Sequence, residues 1–295
     1  QTLDGSELKA VTDSLAQLDA ELVSDAIRFE IYVRPENGSV RYIHEFDYNL
    51  KRAFMADGEP APEHTVVLWY DENTKEWRPV PARIEEDGGK TMVVFQRKGN
   101  SIYAAVRSSR TFADMQGHWA KAYVERLASM RIADGAGENA FLPDSPLTRA
   151  QFTAFLVRAL AVSKSGKAEF ADVPKTAWYA DAVRQAKLAG LVDGYEDGTF
   201  RPDQTITREE MAVMIGRALQ YAGAGNNGTA SAKVLARFQD SEQIAEWAIP
   251  AVSGLVGIGL MEGDKDHLFS PKRTATRAEA AALLIRMLQY SGMIN

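Results

Sequence analysis

From residue 8 the apolar positions Leu8, Val11, Leu15, Leu18 and Leu22 recur three and four apart. That is the period of an amphipathic helix, predicted here over 6–24. The period then drops to two. Ile27, Phe29, Ile31 and Val33 alternate with Arg28, Glu30, Tyr32 and Arg34, as in a half-buried strand. Asn37-Gly38 is a strong hairpin signal. Further strands are predicted at 65–70, 75–83, 91–97 and 101–106, with turns at 71–74, 87–89 and 99–100. The first hundred residues thus read as a small β-rich region behind one helix.

Past residue 110 the helical period returns three times. Its apolar faces are Phe152, Phe155, Leu156, Ala159, Leu160; then Met211, Met214, Ile215, Ala218, Leu219; then Ala280, Leu283, Leu284, Met287, Leu288. Helices this amphipathic must bury their stripes, most simply against their own units and one another. Other residue types keep the same register. Trp119, Trp178 and Trp247, Gly135, Gly194 and Gly263, and Pro143, Pro202 and Pro271 all lie 59 and 69 residues apart. The chain is therefore a threefold repeat from about 110 onward. A Gly/Asn/Ser-rich stretch at 222–233 reads as the linker that lengthens the second interval. Each unit opens with Phe-x-Asp, ending in Asp114, Asp172 or Asp240. A first helix follows around the Trp, then a Gly turn, an extended Phe-x-Pro stretch and the second helix.

Each second helix begins with the same signature: TRAQ at Thr148, TREE at Thr207 and TRAE at Thr276. Thr with Gln or Glu three residues on is a capping box. The Arg inside it faces the positive end of the helix dipole and needs another reason. Two readings stay open. Arg149, Arg208 and Arg277 either pair with nearby acids and pin the Pro-containing loop, or join free helix N–H groups in receiving an anion. The repeated Trp is likewise either core or a sugar platform. A second repeated Arg, at 158, 217 and 286, points roughly 130° away from the apolar stripe and reads as a solvated or salt-bridged surface residue.

Composition narrows the function classes. Net charge is −6, which gives no support for nucleic-acid or anionic-membrane binding. The chain has no Cys and only four scattered His, so neither thiolate zinc sites nor His metal spacing is present. No run of about 18 apolar residues suggests a membrane helix. The start QTLDGSELKA lacks a signal-peptide pattern, as expected of a cytosolic chain, a mature form or a fragment. No nucleophile elbow, phosphate loop or dinucleotide motif appears, so an enzyme is not expected, and no cofactor or metal is called for. A calcium loop counted from Asp193 fails at its third and twelfth positions. Asn227-Gly228-Thr229 matches a glycosylation sequon and is read as linker.

Phe-x-Asp, the Trp helix, DGYEDGTFRPD and the Thr-Arg box, in that order and three times, resemble S-layer homology domains over about 110–295. The stretches LWYDENTKEWRPVP and GNSIYAAV resemble β-domains that precede such units in bacterial surface proteins. The expected fold class is multidomain: an N-terminal β-rich, sandwich-like domain, then an all-α pseudo-threefold module of three helix–loop–helix repeats. Expected boundaries are 1–109, 110–168, 169–233 (with the linker) and 234–295.

The resemblance implies an extracellular anchor on a Gram-positive-type cell surface. It implies non-covalent binding of an anionic, peptidoglycan-linked secondary cell wall polymer, commonly through pyruvylated N-acetylmannosamine, in grooves between units. Carried onto this sequence, the glycan-binding residues are Arg149, Arg208, Arg277, Asp114, Asp172, Asp240, Trp119, Trp178, Trp247, Gly135, Gly194, Gly263 and Tyr195. The units differ: Gln151 stands where Glu is preferred, Glu262 precedes the third Gly, and Lys272 replaces an Asp. On this reading Arg208→Ala weakens glycan binding without unfolding, more than Arg217→Ala does. The rival reading is a protein–protein scaffold for a surface lattice with neighbouring copies.

Overall fold

The computed structural model describes residues 3, 5–16, 18, 20–56, 60–72, 74–137, 139–225 and 232–295. The first helix, α1 (Gly5–Ala16), is shorter than its apolar period. Val11 and Leu15 are buried on it. The chain then turns into strands β1 (Glu21–Leu22), β2 (Ile27–Phe29), β3 (Ile31–Val33), β4 (Arg41–Ile43) and β5 (Glu45–Met55). The alternating run 27–33 is extended throughout but serves two sheets: β2 pairs with the last strand and β3 with β4. The remaining strands are β6 (Thr65–Asp71), β7 (Glu76–Val80), β8 (Ala82–Asp87), β9 (Lys90–Gly99) and β10 (Ser101–Arg107). One sheet has the order β1-β10-β6-β7 with β2 also on β10; another has the order β5-β9-β8. The expected strand at 75–83 is two strands broken at Pro81, and β5 is an unpredicted strand, although Phe46, Tyr48, Leu50 and Phe54 alternate with Glu45, Asp47, Asn49 and Lys51 along it.

The β6 and β10 strands are buried on both faces, which explains the unbroken apolar run in β6. Val67, Trp69, Tyr103 and Ala105 pack toward Phe54, Val93 and Phe95 of the second sheet. Their neighbours Val66, Leu68, Ile102, Ala104 and Val106 point the other way. That face joins Val11 and Leu15 of α1 and the repeats in one core that runs to Ile294.

The repeats supply α2 (Lys121–Ser129), α3 (Arg149–Ala159), α4 (Ala180–Leu188), α5 (Arg208–Ala222), α6 (Ala232–Leu235), α7 (Ile249–Gly257) and α8 (Arg277–Tyr290). Of the predicted linker, 222 ends α5, 232 begins α6, and 226–231, with the sequon, lie outside the described residues. Each first helix packs on the second helix of the preceding unit: α4 on α3, α7 on α5 and, closing the ring, α2 on α8. The repeat read along the sequence is therefore not the packing unit.

The expected all-α class does not hold. The chain is a mixed helix-and-strand protein, and the module itself uses β-pairing at its joints. The residues just before each second helix pair as antiparallel bridges, Thr148 with Thr205, Thr207 with Thr274 and Pro146 with Thr276. The physical reason lies in the Phe-x-Pro stretches. They are not helical: their N–H groups go to the Asp of their own unit and their carbonyl groups to the neighbouring unit rather than to a local helix.

Candidate functional site: the grooves between repeats

The three capping boxes form as their sequences require. Thr148, Thr207 and Thr276 each accept from the backbone N–H three residues on, and Gln151, Glu210 and Glu279 each accept from the Thr backbone N–H. The two helix N–H groups left over go to the next unit. Arg149 N–H donates to Gln204 O and Ala150 N–H to Pro202 O; Arg208 and Glu209 donate to Arg273 O and Pro271 O; Arg277 and Ala278 donate to Ser145 O and Pro143 O. The helix mouths are thus occupied by carbonyl groups.

The box arginines follow the same path. Nε of Arg149 donates to Phe200 O at 3.0 Å, that of Arg208 to Phe269 O at 2.9 Å and that of Arg277 to Phe141 O at 2.8 Å. Each joins its own unit to the next, and the third closes onto the first. Arg149 also meets Glu210 at 3.2 Å and Arg208 meets Glu279 at 3.5 Å. The acid of one capping box is therefore the counter-charge of the preceding box's Arg, which offsets the unfavourable dipole position. Gln151 breaks this pattern: Arg277 faces no acid there and keeps its bond to Asp134 O at 2.8 Å, the counterpart of the Arg208 bond to Glu262 O. Burial holds the Arg208 and Arg277 pKa values below the usual guanidinium range. Nη2 of Arg208 is spent on Glu262 O, whereas Nη2 of Arg149 has no partner among the described residues.

The Phe-x-Asp acids clamp the extended stretch. Asp114 accepts from Phe141 and Leu142 N–H, Asp172 from Phe200 and Arg201 N–H, and Asp240 from Phe269 and Ser270 N–H. The second donor in each pair has positive φ: 56° at Leu142, 57° at Arg201 and 56° at Ser270. Non-glycine residues rarely adopt this conformation, and the carboxylate holds it. At Asp114 burial works to raise the pKa, but the backbone donors, those of Phe141 and Leu142 first, together with the Arg277 charge outweigh it and the pKa falls. The repeated glycines serve the same corner. A Cβ would lie 2.8 Å from the Phe112 ring at Gly135, 2.4 Å from that of Phe170 at Gly194 and 2.6 Å from that of Phe238 at Gly263.

Trp119, Trp178 and Trp247 are 59%, 64% and 57% exposed, outside the core. Each lines a groove together with residues from another unit. One groove, about 680 Å³, is lined by Arg149 of the first unit, Tyr195, Arg201, Glu210 and Arg217 of the second and Trp247 of the third. Tyr195 donates to Glu210 at 3.0 Å, and Arg201 stacks on its ring at 3.8 Å. The second groove, about 170 Å³, joins Arg208, Glu262, Glu279 and Arg286 to Trp119. At the third position Trp178, Asp134 and Arg158 are met by Glu76, Trp77 and Arg78 of β7, and Arg277 is off the cavity wall. Arg78 pairs with Asp181 there at 3.2 Å.

Sequence reasoning put Arg158, Arg217 and Arg286 on the surface and missed that they line these grooves. Arg158 and Arg217 are ion-paired to Asp134 and Asp193 in the Gly turns. Their shared register was the available signal; what it lacked was the neighbouring unit across the groove. Lys272 pairs with the buried Glu209.

Residues 111–153, 169–212 and 237–281 match the S-layer homology domain family. The chain carries three S-layer homology domains. It is 34% identical to an amylopullulanase of Thermoanaerobacterium thermosulfurigenes over 79% of this chain and 12% of that protein. It is 32% identical to the exoglucanase XynX of Acetivibrio thermocellus over 77% of this chain and 20% of that protein. To a cellulosome-anchoring protein of Acetivibrio thermocellus it is 32% identical, over 50% of this chain and 33% of that protein. The first two likenesses reach beyond the three domains into the β-rich region. In each case the chain spans a third or less of its relative's length.

Proposed function

We propose that this chain anchors a longer surface polypeptide to a bacterial cell wall by holding an anionic wall glycan in the grooves between its S-layer homology domains. Support comes from the family and from relatives named as cellulosome-anchoring and S-layer proteins. The observation that carries the site assignment is the 680 Å³ groove, where three units bring an exposed Trp together with Arg149, Arg201 and Arg217. The unspent Nη2 of Arg149 and the guanidinium of Arg217 receive a carboxylate such as a pyruvate ketal. Trp247 packs on the apolar face of the sugar. The Asp clamps, the glycines and the closing Arg277 act at one remove, by fixing the groove walls. Catalysis by relatives such as the amylopullulanase is assigned to their additional length, and none to this chain.

The test is retention of the full chain on purified wall polymer, native and with its pyruvate removed. Retention on the native form, and its loss when the ketal is removed, is expected. Equal retention on both would sink the carboxylate assignment. Failure on both, together with concentration-dependent self-association, would favour the lattice reading.

A further inference from the structure

The β-rich region contains a cavity of about 540 Å³, away from the inter-repeat grooves. It opens between the β9–β10 turn and the β3–β4 ribbon, with Ser163 and Ser165 on one side. Arg97 lies on its wall and is only 3% exposed. Its guanidinium stacks on Trp69, 3.6 Å from the ring centroid, and Nη1 donates to the Tyr103 hydroxyl at 3.0 Å. Its Nε is buried without an acceptor, and so is the indole Nε1 of Trp69. A Cβ at Gly99 would sit 2.7 Å from Nη1, so the turn residue leaves room for this guanidinium.

No carboxylate lies within ion-pair distance of Arg97 among the described residues. The acids nearby are committed elsewhere or solvated: Asp71 to Arg78, Glu72 to Arg28, Glu45 to Lys164, and Glu30 exposed. A second buried guanidinium, Arg52, shares the Tyr103 ring at 5.6 Å, and its donors go to Leu50 O, Arg97 O and Asn100 Oδ1. Two buried cations flank one ring with no anion between them. Leaving a charge buried without a counter-charge is costly, and stacking on an aromatic ring offsets only part of it. The two orphaned donors, Nε of Arg97 and Nε1 of Trp69, belong to stacked side chains on the same wall.

We propose that this cavity binds a small organic carboxylate with a ring-sized polar body. The acid is received by Arg97, whose planar fork matches a carboxylate, and Tyr42 and Tyr70, which also line the cavity, flank the body. The volume falls within the roughly 300–1,000 Å³ of small-molecule sites. This assignment does not depend on the inter-repeat grooves.

The experiment is a calorimetric titration of the full chain with glucuronate, glucose and inorganic phosphate, repeated on Arg97→Met and Lys90→Ala. Glucuronate is expected to bind the unaltered chain, glucose not at all and phosphate more weakly. Arg97→Met is expected to weaken glucuronate about tenfold or more, while Lys90→Ala, at the exposed β8–β9 turn outside both cavities, leaves it unchanged. Met fills the stacked position without the charge, so the thermal midpoint should hold or rise. If Arg97→Met does not fold, Arg97→Lys, which keeps the charge and loses the fork, should also lose glucuronate. Absence of glucuronate binding overturns the proposal. So does binding unchanged by the Arg97 variants, or phosphate binding as tight as glucuronate.

Discussion

The carboxylates of Asp114, Asp172 and Asp240 each hold two consecutive backbone N–H groups, one of them on a residue with positive φ. Asp240 is the most buried of the three. Asp240→Ala should cost about 2 kcal/mol, because Phe269 and Ser270 lose their acceptor; a denaturant midpoint measures it. At Asp114 the pKa is depressed from 3.8. Its contribution is therefore complete above the unfolded-state value and is lost as pH falls through the lower folded-state value. The stability gap between the unaltered chain and Asp114→Asn should hold constant at neutral pH and close only below pH ~4. Gly194→Ala should destabilise by about 1–3 kcal/mol, since its Cβ meets the Phe170 ring at 2.4 Å and Thr199 O at 2.7 Å. Equal stability of Gly194→Ala and the unaltered chain would mean that the corner has room to relax.

At the scale of elements, the box arginine is a joint. Arg208 ties α5 to Phe269 O, Glu262 O and Glu279 of the next unit. Arg208→Ala should cost about 2–4 kcal/mol, whereas the exposed pair of Arg217 with Asp193 contributes little to stability. The expectation from sequence, a binding defect without unfolding at Arg208, is better placed at Arg217. The second helices were legible because capping chemistry and apolar period are local: Thr207, Glu210 and the Met211 to Leu219 face sit on one element. The partners of Arg149, Arg208 and Arg277 were not legible, since carbonyl groups 51, 61 and 136 residues away leave no trace in local pattern. The same limit hid the division of the 27–33 run between two sheets, whereas β5 was legible in the alternation of Phe46, Tyr48, Leu50 and Phe54. It also made Trp119, Trp178 and Trp247 ambiguous, because exposure depends on which unit lies opposite.

Over the whole molecule, two arrangements matter. One core runs from α1 and the β6–β10 face into the repeats. The chain should therefore unfold in one transition, with near-UV and far-UV signals coincident; separate transitions for 1–109 and 110–295 would contradict a shared core. The ring of units also makes three grooves that are not equal. The one holding Arg149 is open and has a spare donor, and the one holding Arg208 is narrow. In the third, β7 stands on the wall and Arg158 faces Arg78.

The most direct measurement is calorimetric titration of the full chain with pyruvylated wall polymer, comparing Arg217→Ala with Arg158→Ala at matched stability. These are the same residue at equivalent positions of an open and a covered groove. The account predicts that Arg217→Ala weakens binding about tenfold or more, as for a lost charge-assisted hydrogen bond, and that Arg158→Ala leaves it within error. Equal losses, or a loss confined to Arg158→Ala, would contradict the assignment of the glycan to the open groove.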